Sequence, residues 1–276
     1  MSHPLPASAN TLPATQDEAL PAPRHGPRLF VVSPHLDDAV LGCGSLLAMF
    51  GGSVVCTVFT GEPTVARRTP WDEASGFRDS HEAMRARCRE DERALAWCGA
   101  TPLHLGFLDA QYEASPRPEA IAEALADALA RMGHCLPVFP LGLWHADHER
   151  VGAACRLLLR TRRVNGSGGC IAYEDAIYRA LPGVLDAGLA RLEAEQLHAS
   201  PWRPPGPRAR LSRQVAAIKR RAVEAYPSQL RALGPFPSDV ARAERYWRIE
   251  PRVAADSAED FAAGSSAAGK RTSMRT

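Results

Sequence analysis

The sequence predicts an α/β protein: a mostly parallel, doubly wound sheet with helices on both faces. Three observations carry that prediction. From Arg28 to Glu174, short apolar runs alternate with longer helical patterns, the order that builds a doubly wound sheet. The second run, Ser53 to Thr60, is β-branched and nearly all apolar, as a strand covered on both faces should be. Two polar clusters, His35/Asp37/Asp38 and His145/Asp147/His148, each follow a predicted strand and precede a predicted helix. Open parallel sheets place their ligands at that edge.

Leu29 to Val32 reads as a buried strand, Ser33 to Asp38 as a tight loop, and Ala39 to Phe50 as a helix. The acids of the loop stand where the helix macrodipole favours negative charge. Ser53 to Thr60 is the second strand. Gly61 to Gly76 is a polar loop without periodicity, a length that often marks function. Arg78 to Trp97 is a charged helix stopped by Gly99, and Thr101 to Leu108 a third strand closing on Asp109. Pro118 to Met132 is an Ala/Leu helix, and His134 to Leu141 a strand interrupted by two prolines. A helix runs from Glu149 to Arg162, Asn165 to Gly169 is a turn, and Cys170 to Glu174 is a fifth strand. Beyond it the pattern weakens. Asp186 to His198 reads as helix, Pro201 to Pro207 as a Pro-rich loop and Gln214 to Tyr226 as a basic helix. The organisation expected is a loose Pro/Ala leader (1–27), one domain (28–253) whose C-terminal third packs as an extension, and a small-residue, disordered tail (254–276).

Composition excludes several function classes. A formal net charge of +2 makes no case for nucleic acid as a partner. No run approaches the ~18 apolar residues of a membrane span, and no basic region followed by an apolar stretch marks a secretory signal. The seven cysteines (43, 56, 88, 98, 135, 155 and 170) are scattered, without a C-x-x-C pair. They read as buried thiols in a reducing cytoplasm.

The chemistry lies in the two clusters. In a parallel sheet both strand ends open on one edge, so the clusters can meet across more than a hundred residues. They then offer three imidazole or carboxylate ligands and a spare carboxylate, which is what a catalytic zinc requires. The same donors suit Fe2+ or Mn2+.

The run Ser33-Pro-His-Leu-Asp-Asp-Ala-Val-Leu-Gly-Cys-Gly44 resembles the P-H-x-D-D-E signature of the PIG-L/LmbE-like N-deacetylases, and Trp144-His-Ala-Asp-His148 resembles their H-P-D-H signature. Arg87-x-x-Glu90 with Cys98-Gly99, Gly106-Phe-Leu-Asp109, and Lys219-x-x-Ala222-x-x-x-Tyr226-x-Ser228-Gln229 are similar to further segments of that family, in the same order. The resemblance implies a Rossmann-like (LmbE-like) fold, one zinc ion per chain and hydrolysis of an N-acyl group on a small-molecule amino sugar. It implies His35, Asp38 and His148 as metal ligands and Asp37 as general base. His145 would stabilise the tetrahedral intermediate or protonate the leaving amine, and Asp147 would orient a neighbouring imidazole. Arg87 would hold a sugar hydroxyl and Asp109 would line the pocket. A homo-oligomer is compatible with all of this.

The chain departs from the family pattern at Ala39, where Glu is usual, and at Leu143, where some members carry Tyr. Neither change removes a ligand. A dinucleotide-binding turn is disfavoured because Leu47 stands where the third Gly of G-x-G-x-x-G belongs. A metal-dependent phosphoesterase, with Arg67, Arg68 and Arg87 as its cations, and a non-catalytic binding protein on the same scaffold remain as alternatives.

Overall fold

The computed structural model describes residues 27–114, 116–164, 169–204, 209–234 and 238–252. The expected tail, and all but the last residue of the expected leader, lie outside the described residues. So do 165–168 of the expected turn and 205–207 of the Pro-rich loop.

The strands are β1 (Leu29–Ser33), β2 (Val54–Phe59), β3 (Thr101–Phe107), β4 (Leu136–Pro140), β5 (Cys170–Tyr173), β6 (Leu197–Trp202) and β7 (Tyr246–Pro251). They form one sheet in the order β3-β2-β1-β4-β5-β7-β6. The first five are parallel; β7 pairs antiparallel with β5 and β6. The helices are α1 (Asp38–Met49), α2 (Pro70–Ser75), α3 (Ser80–Cys98), α4 (Pro118–Met132), α5 (Ala146–Arg160), α6 (Val184–Ala194), α7 (Ala209–Glu224) and α8 (Pro227–Leu233).

Alternation along β1 sets the two layers. Phe30 and Val32 face a core shared with α4 and α5, through Ile121, Leu125, Val151 and Leu158. Leu29 and Val31 face the other core, with α1, α3 and α7. Side chains of this size each contribute about 1.5–3 kcal/mol by leaving water. The prolines of β4 are spared by register. Leu136 donates to Arg28 O and Leu141 to Tyr173 O. Pro137 therefore faces β5 one residue before pairing with it begins, and Pro140 faces β1 after pairing with it ends.

Four expectations are corrected. The loop Gly61 to Gly76 contains α2, capped by the Thr69 hydroxyl, which accepts Asp72 N–H at 3.1 Å. The helix expected from Glu149 begins at Ala146, so Asp147 and His148 lie in its first turn. The helix expected to reach His198 ends at Ala194, and the next residues form β6, which takes the start of the Pro-rich loop. Strand β7 was not anticipated: Tyr-Trp-Arg-Ile-Glu-Pro alternates too irregularly, and it is secured only by pairing with β5 and β6.

Helix α1 is kinked at Cys43 (φ −143°). The kink separates Leu41 O from Ser45 N, which an unbroken helix would join. A buried ion pair fills the gap. Lys219 Nζ donates to Leu41 O at 3.1 Å, Glu244 Oε1 accepts Ser45 N–H at 2.9 Å, and the two charges meet at 2.6 Å. At Gly42 a Cβ would stand 2.6 Å from the Tyr173 ring, so that glycine serves packing rather than a phosphate. The C-terminal third is thereby tied to the helix that begins at Asp38.

Candidate functional site

The strand order reverses between β1 and β4, and the crevice outside their carboxyl ends holds the two polar clusters. A cavity of about 420 Å³ opens there. His35, Asp37, Asp38, Arg87, Asp109, His145 and His148 all line it.

The first cluster is held by its own turn. Ser33 Oγ donates to His35 O at 2.7 Å and accepts Ala39 N–H at 3.0 Å. Asp38 Oδ2 accepts His35 N–H at 2.8 Å. The same oxygen lies 3.2 Å from His35 Nδ1 and 3.2 Å from His148 Nε2. These are the three groups the sequence suggested as ligands. A second set, His35, His145 and Asp147, is equally compact, with its ligand atoms within 4.8 Å of one another.

The far nitrogen of each imidazole in the first set meets a carboxylate. His35 Nε2 is 3.3 Å from Asp147 Oδ2, and His148 Nδ1 is 2.6 Å from Asp175 Oδ1. Asp175 Oδ2 in turn accepts the N–H groups of Gly142 and Leu143 at 2.9 and 3.2 Å. Gly142 allows this turn, with φ +75° and no room for a Cβ against His148 O. Asp175 was missed in the sequence. Its signal was a carboxylate straight after the fifth strand, on the same sheet edge as the others.

Burial opposes charge at His148, but the Asp38 charge and the Asp175 hydrogen bond prevail and hold it at about 9. Burial likewise opposes charge at His35, and contacts with Asp147 and Asp38 raise it above the ordinary value. Asp38 is held low against burial, chiefly by the His148 charge. Asp37 behaves oppositely. Burial, then the Asp38 charge, push it up to about 7, while Arg87 pulls the other way. His145 is lowered, first by burial and then by the neighbouring imidazoles. Its Nδ1 accepts Asp147 N–H at 3.3 Å, so the neutral ring carries its proton on Nε2.

Arg87 is buried, and its Nε has no hydrogen-bond partner among the described residues. Its Nη1 lies 3.9 Å from Asp109 Oδ2. It therefore faces the cavity and not solvent. Gln111 fixes Asp109, donating from N and Nε2 to its two oxygens at 3.0 and 3.1 Å. Arg67 and Arg68 are exposed and do not line the cavity. Tyr226 and Ser228 pack α8 on α3, donating to Asp91 and Glu90. Leu143 is buried away from the cavity, and the aromatic groups at its rim are Trp71, Trp144 and Tyr178.

Fold and cavity define a doubly wound α/β protein with a carboxylate–imidazole centre at its switch point. Residues 30–159 match the family model described as PIG-L, GlcNAc-PI de-N-acetylase. It is similar to a 2'-N-acetylparomamine deacetylase of Streptomyces fradiae, 30% identical over 190 residues. That match covers 62% of this chain, and the chain spans 64% of the relative's length. Among solved structures it is similar to the A40926 pseudoaglycone deacetylase Dbv21, with a TM-score of 0.64 and 24% identity over 82% of this chain and 98% of that one. The zinc-inhibited form of teicoplanin deacetylase Orf2 has a TM-score of 0.62 and 21% identity, covering 83% of this chain and all of that one. At such identities the structures establish the fold.

Proposed function

We propose that this protein is a metal-dependent N-deacylase that hydrolyses the acetamide, or another N-acyl amide, of an amino sugar or its conjugate. One observation carries the reading. Asp38 Oδ2 stands equidistant from His35 Nδ1 and His148 Nε2, and each imidazole is backed by a carboxylate on its other nitrogen. Ligating imidazoles are usually supported in that way. The donors, two nitrogens and one oxygen, suit zinc and also Fe2+ or Mn2+. The alternative set is less apt, because Nδ1 of its second imidazole, His145, accepts Asp147 N–H at 3.3 Å where the imidazoles of the first set face carboxylates.

A divalent ion held by His35, Asp38 and His148 would lower the pKa of water to about 7 and polarise the amide carbonyl. The remaining work belongs to the chain. Asp37, poised near neutrality, accepts the proton of the attacking water. The water oxygen bonds to the acyl carbon, and His145 Nε2–H donates to the oxygen on which negative charge develops. The carbon–nitrogen bond then breaks. Asp37 returns its proton to the departing nitrogen, releasing a carboxylic acid and a free amine. Arg87 and Asp109 orient the sugar hydroxyls.

The relatives support this reading by their described activities. The phosphoesterase alternative is weakened because only Arg87 of its three cations lines the cavity. The test is a screen of N-acyl amino sugars for released acid, using protein stripped by a chelator and reloaded stepwise. Stepwise loading matters because one relative is described in a zinc-inhibited form. Activity should vanish on stripping and return with about one ion per chain. Full turnover in metal-free protein would overturn the proposal. The free thiols of the seven cysteines support the cytoplasmic location expected from the sequence, and no helix among the described residues is long and apolar enough to cross a membrane.

A further inference from the structure

The cavity has two unlike flanks, and sheet order separates them. On the β3 side of His35 stand the polar groups Arg87, Asp109 and Gln111, with Ala110 between the last two and Trp71 of α2 beside them at the rim. On the β4–β5 side stand Trp144, Ala176, Ile177 and Tyr178, nearly all apolar. Tyr178 meets the reacting centre, its ring edge-on to His148 at 4.9 Å and stacked on His145 at 6.0 Å. Trp144 lies over Tyr178 at 5.4 Å and is 60% exposed at the rim. A continuous aromatic wall thus runs outward from the centre.

The wall is built on strained backbone. His145 donates to Leu143 O at 2.7 Å, closing a three-residue turn about Trp144 at φ 60°. Tyr178 donates to Ala176 O at 2.9 Å, closing a second about Ile177 at φ 64°. Turns with a positive central φ are rare and costly, most of all for a β-branched residue. The second is imposed from outside. Buried Asp239 accepts Ile177 N–H at 2.8 Å and Arg179 Nε at 2.9 Å, and Arg179 donates back to Asp239 O at 3.0 Å. Strain of this kind persists where surrounding contacts over-determine it, as they do at ligand clamps.

We propose that this wall receives the acyl group and selects N-acyl chains longer than acetyl, short alkanoyl chains in particular. The inference rests on the deacylase reading above. With the sugar on the polar flank and the amide carbon at the centre, the group on the opposite flank is the acyl chain. An acetyl methyl would leave Trp144 and Ile177 uncovered, whereas several methylenes would cover them.

The experiment compares N-acetyl, N-butanoyl and N-hexanoyl glucosamine with the metal-loaded enzyme. Each methylene brought onto the wall should raise kcat/KM about 4-fold. Trp144→Ala should flatten that progression and Trp144→Phe should keep most of it, with bound metal equal in both. Calorimetry with hexanoate and acetate provides a second reading that needs no turnover: hexanoate should bind tighter, and Trp144→Ala should erase the difference. A kcat/KM that is flat or falls with chain length, or equal affinity for the two acids, would overturn the proposal. An unchanged progression in Trp144→Ala would do the same. Absence of acid release from every substrate would remove the deacylase reading, and the calorimetry would then decide the wall by itself.

Discussion

Asp175→Asn offers the sharpest test of the proposed metal centre. Asp175 Oδ2 accepts two backbone N–H groups, from Gly142 and Leu143, while Oδ1 meets His148 Nδ1 at 2.6 Å. An amide at this position must keep its oxygen on the two backbone donors. Its NH2 then faces Nδ1, which is forced to accept. The ring proton moves to Nε2, the nitrogen that faces Asp38. The lone pair a metal needs is lost unless the ring pays to change tautomer. Losing such a supporting carboxylate typically costs 10- to 100-fold in metal affinity, about 1.4–2.7 kcal/mol. The measurement is a competition titration against a chromogenic chelator at pH about 9, near the value at which His148 itself titrates. There, proton competition is small in wild type and variant alike. Wild-type affinity in the variant would refute the argument. If Asp147→Asn abolished binding while Asp175→Asn did not, the ion would belong to the His35/His145/Asp147 set instead.

Three further outcomes are expected. Asp37→Asn should keep near-normal metal and lose about 10²–10⁴-fold in kcat, whereas Asp38→Asn should lose metal and regain part of its activity in excess ion; the reverse pattern of bound metal would exchange the two roles. Because neighbouring carboxylates hold His148 at about 9, the metal-free protein keeps it protonated at neutrality, and they raise His35 above its ordinary value as well. Metal uptake must therefore release protons, and affinity should rise with pH up to about 9; calorimetry in buffers of different ionisation heat reads this, and no proton release at pH 7 would count against it. Lys219→Met removes one partner of the buried pair bridging the α1 kink and should cost about 3–5 kcal/mol, a fall in melting temperature of roughly 10 °C; an unchanged melting temperature would show that the pair is dispensable.

The sequence by itself determined the parallel half of the fold and brought into view the three groups, His35, Asp38 and His148, that meet at its switch point. Strands β1, β2, β4 and β5 are short, nearly continuous apolar runs, and burial on both faces leaves few other arrangements for them. His35, Asp38 and His148 stand at the ends of such strands, and parallel pairing delivers strand ends to one edge. Tertiary structure decided what local pattern could not carry. Strands β6 and β7 are half polar, and their hydrogen bonds come only from each other and from β5. Asp175 is one carboxylate among many until β5 lies beside β4 and brings it to His148. Lys219 and Glu244 have no partner in sequence, since the gap they fill exists only once α1 has kinked. The aromatic wall depends on turns that Trp144 and Ile177 do not favour by themselves, the second of them held by an ion pair sixty residues distant in sequence. Local periodicity records what each segment prefers; these features arise where distant contacts outweigh that preference.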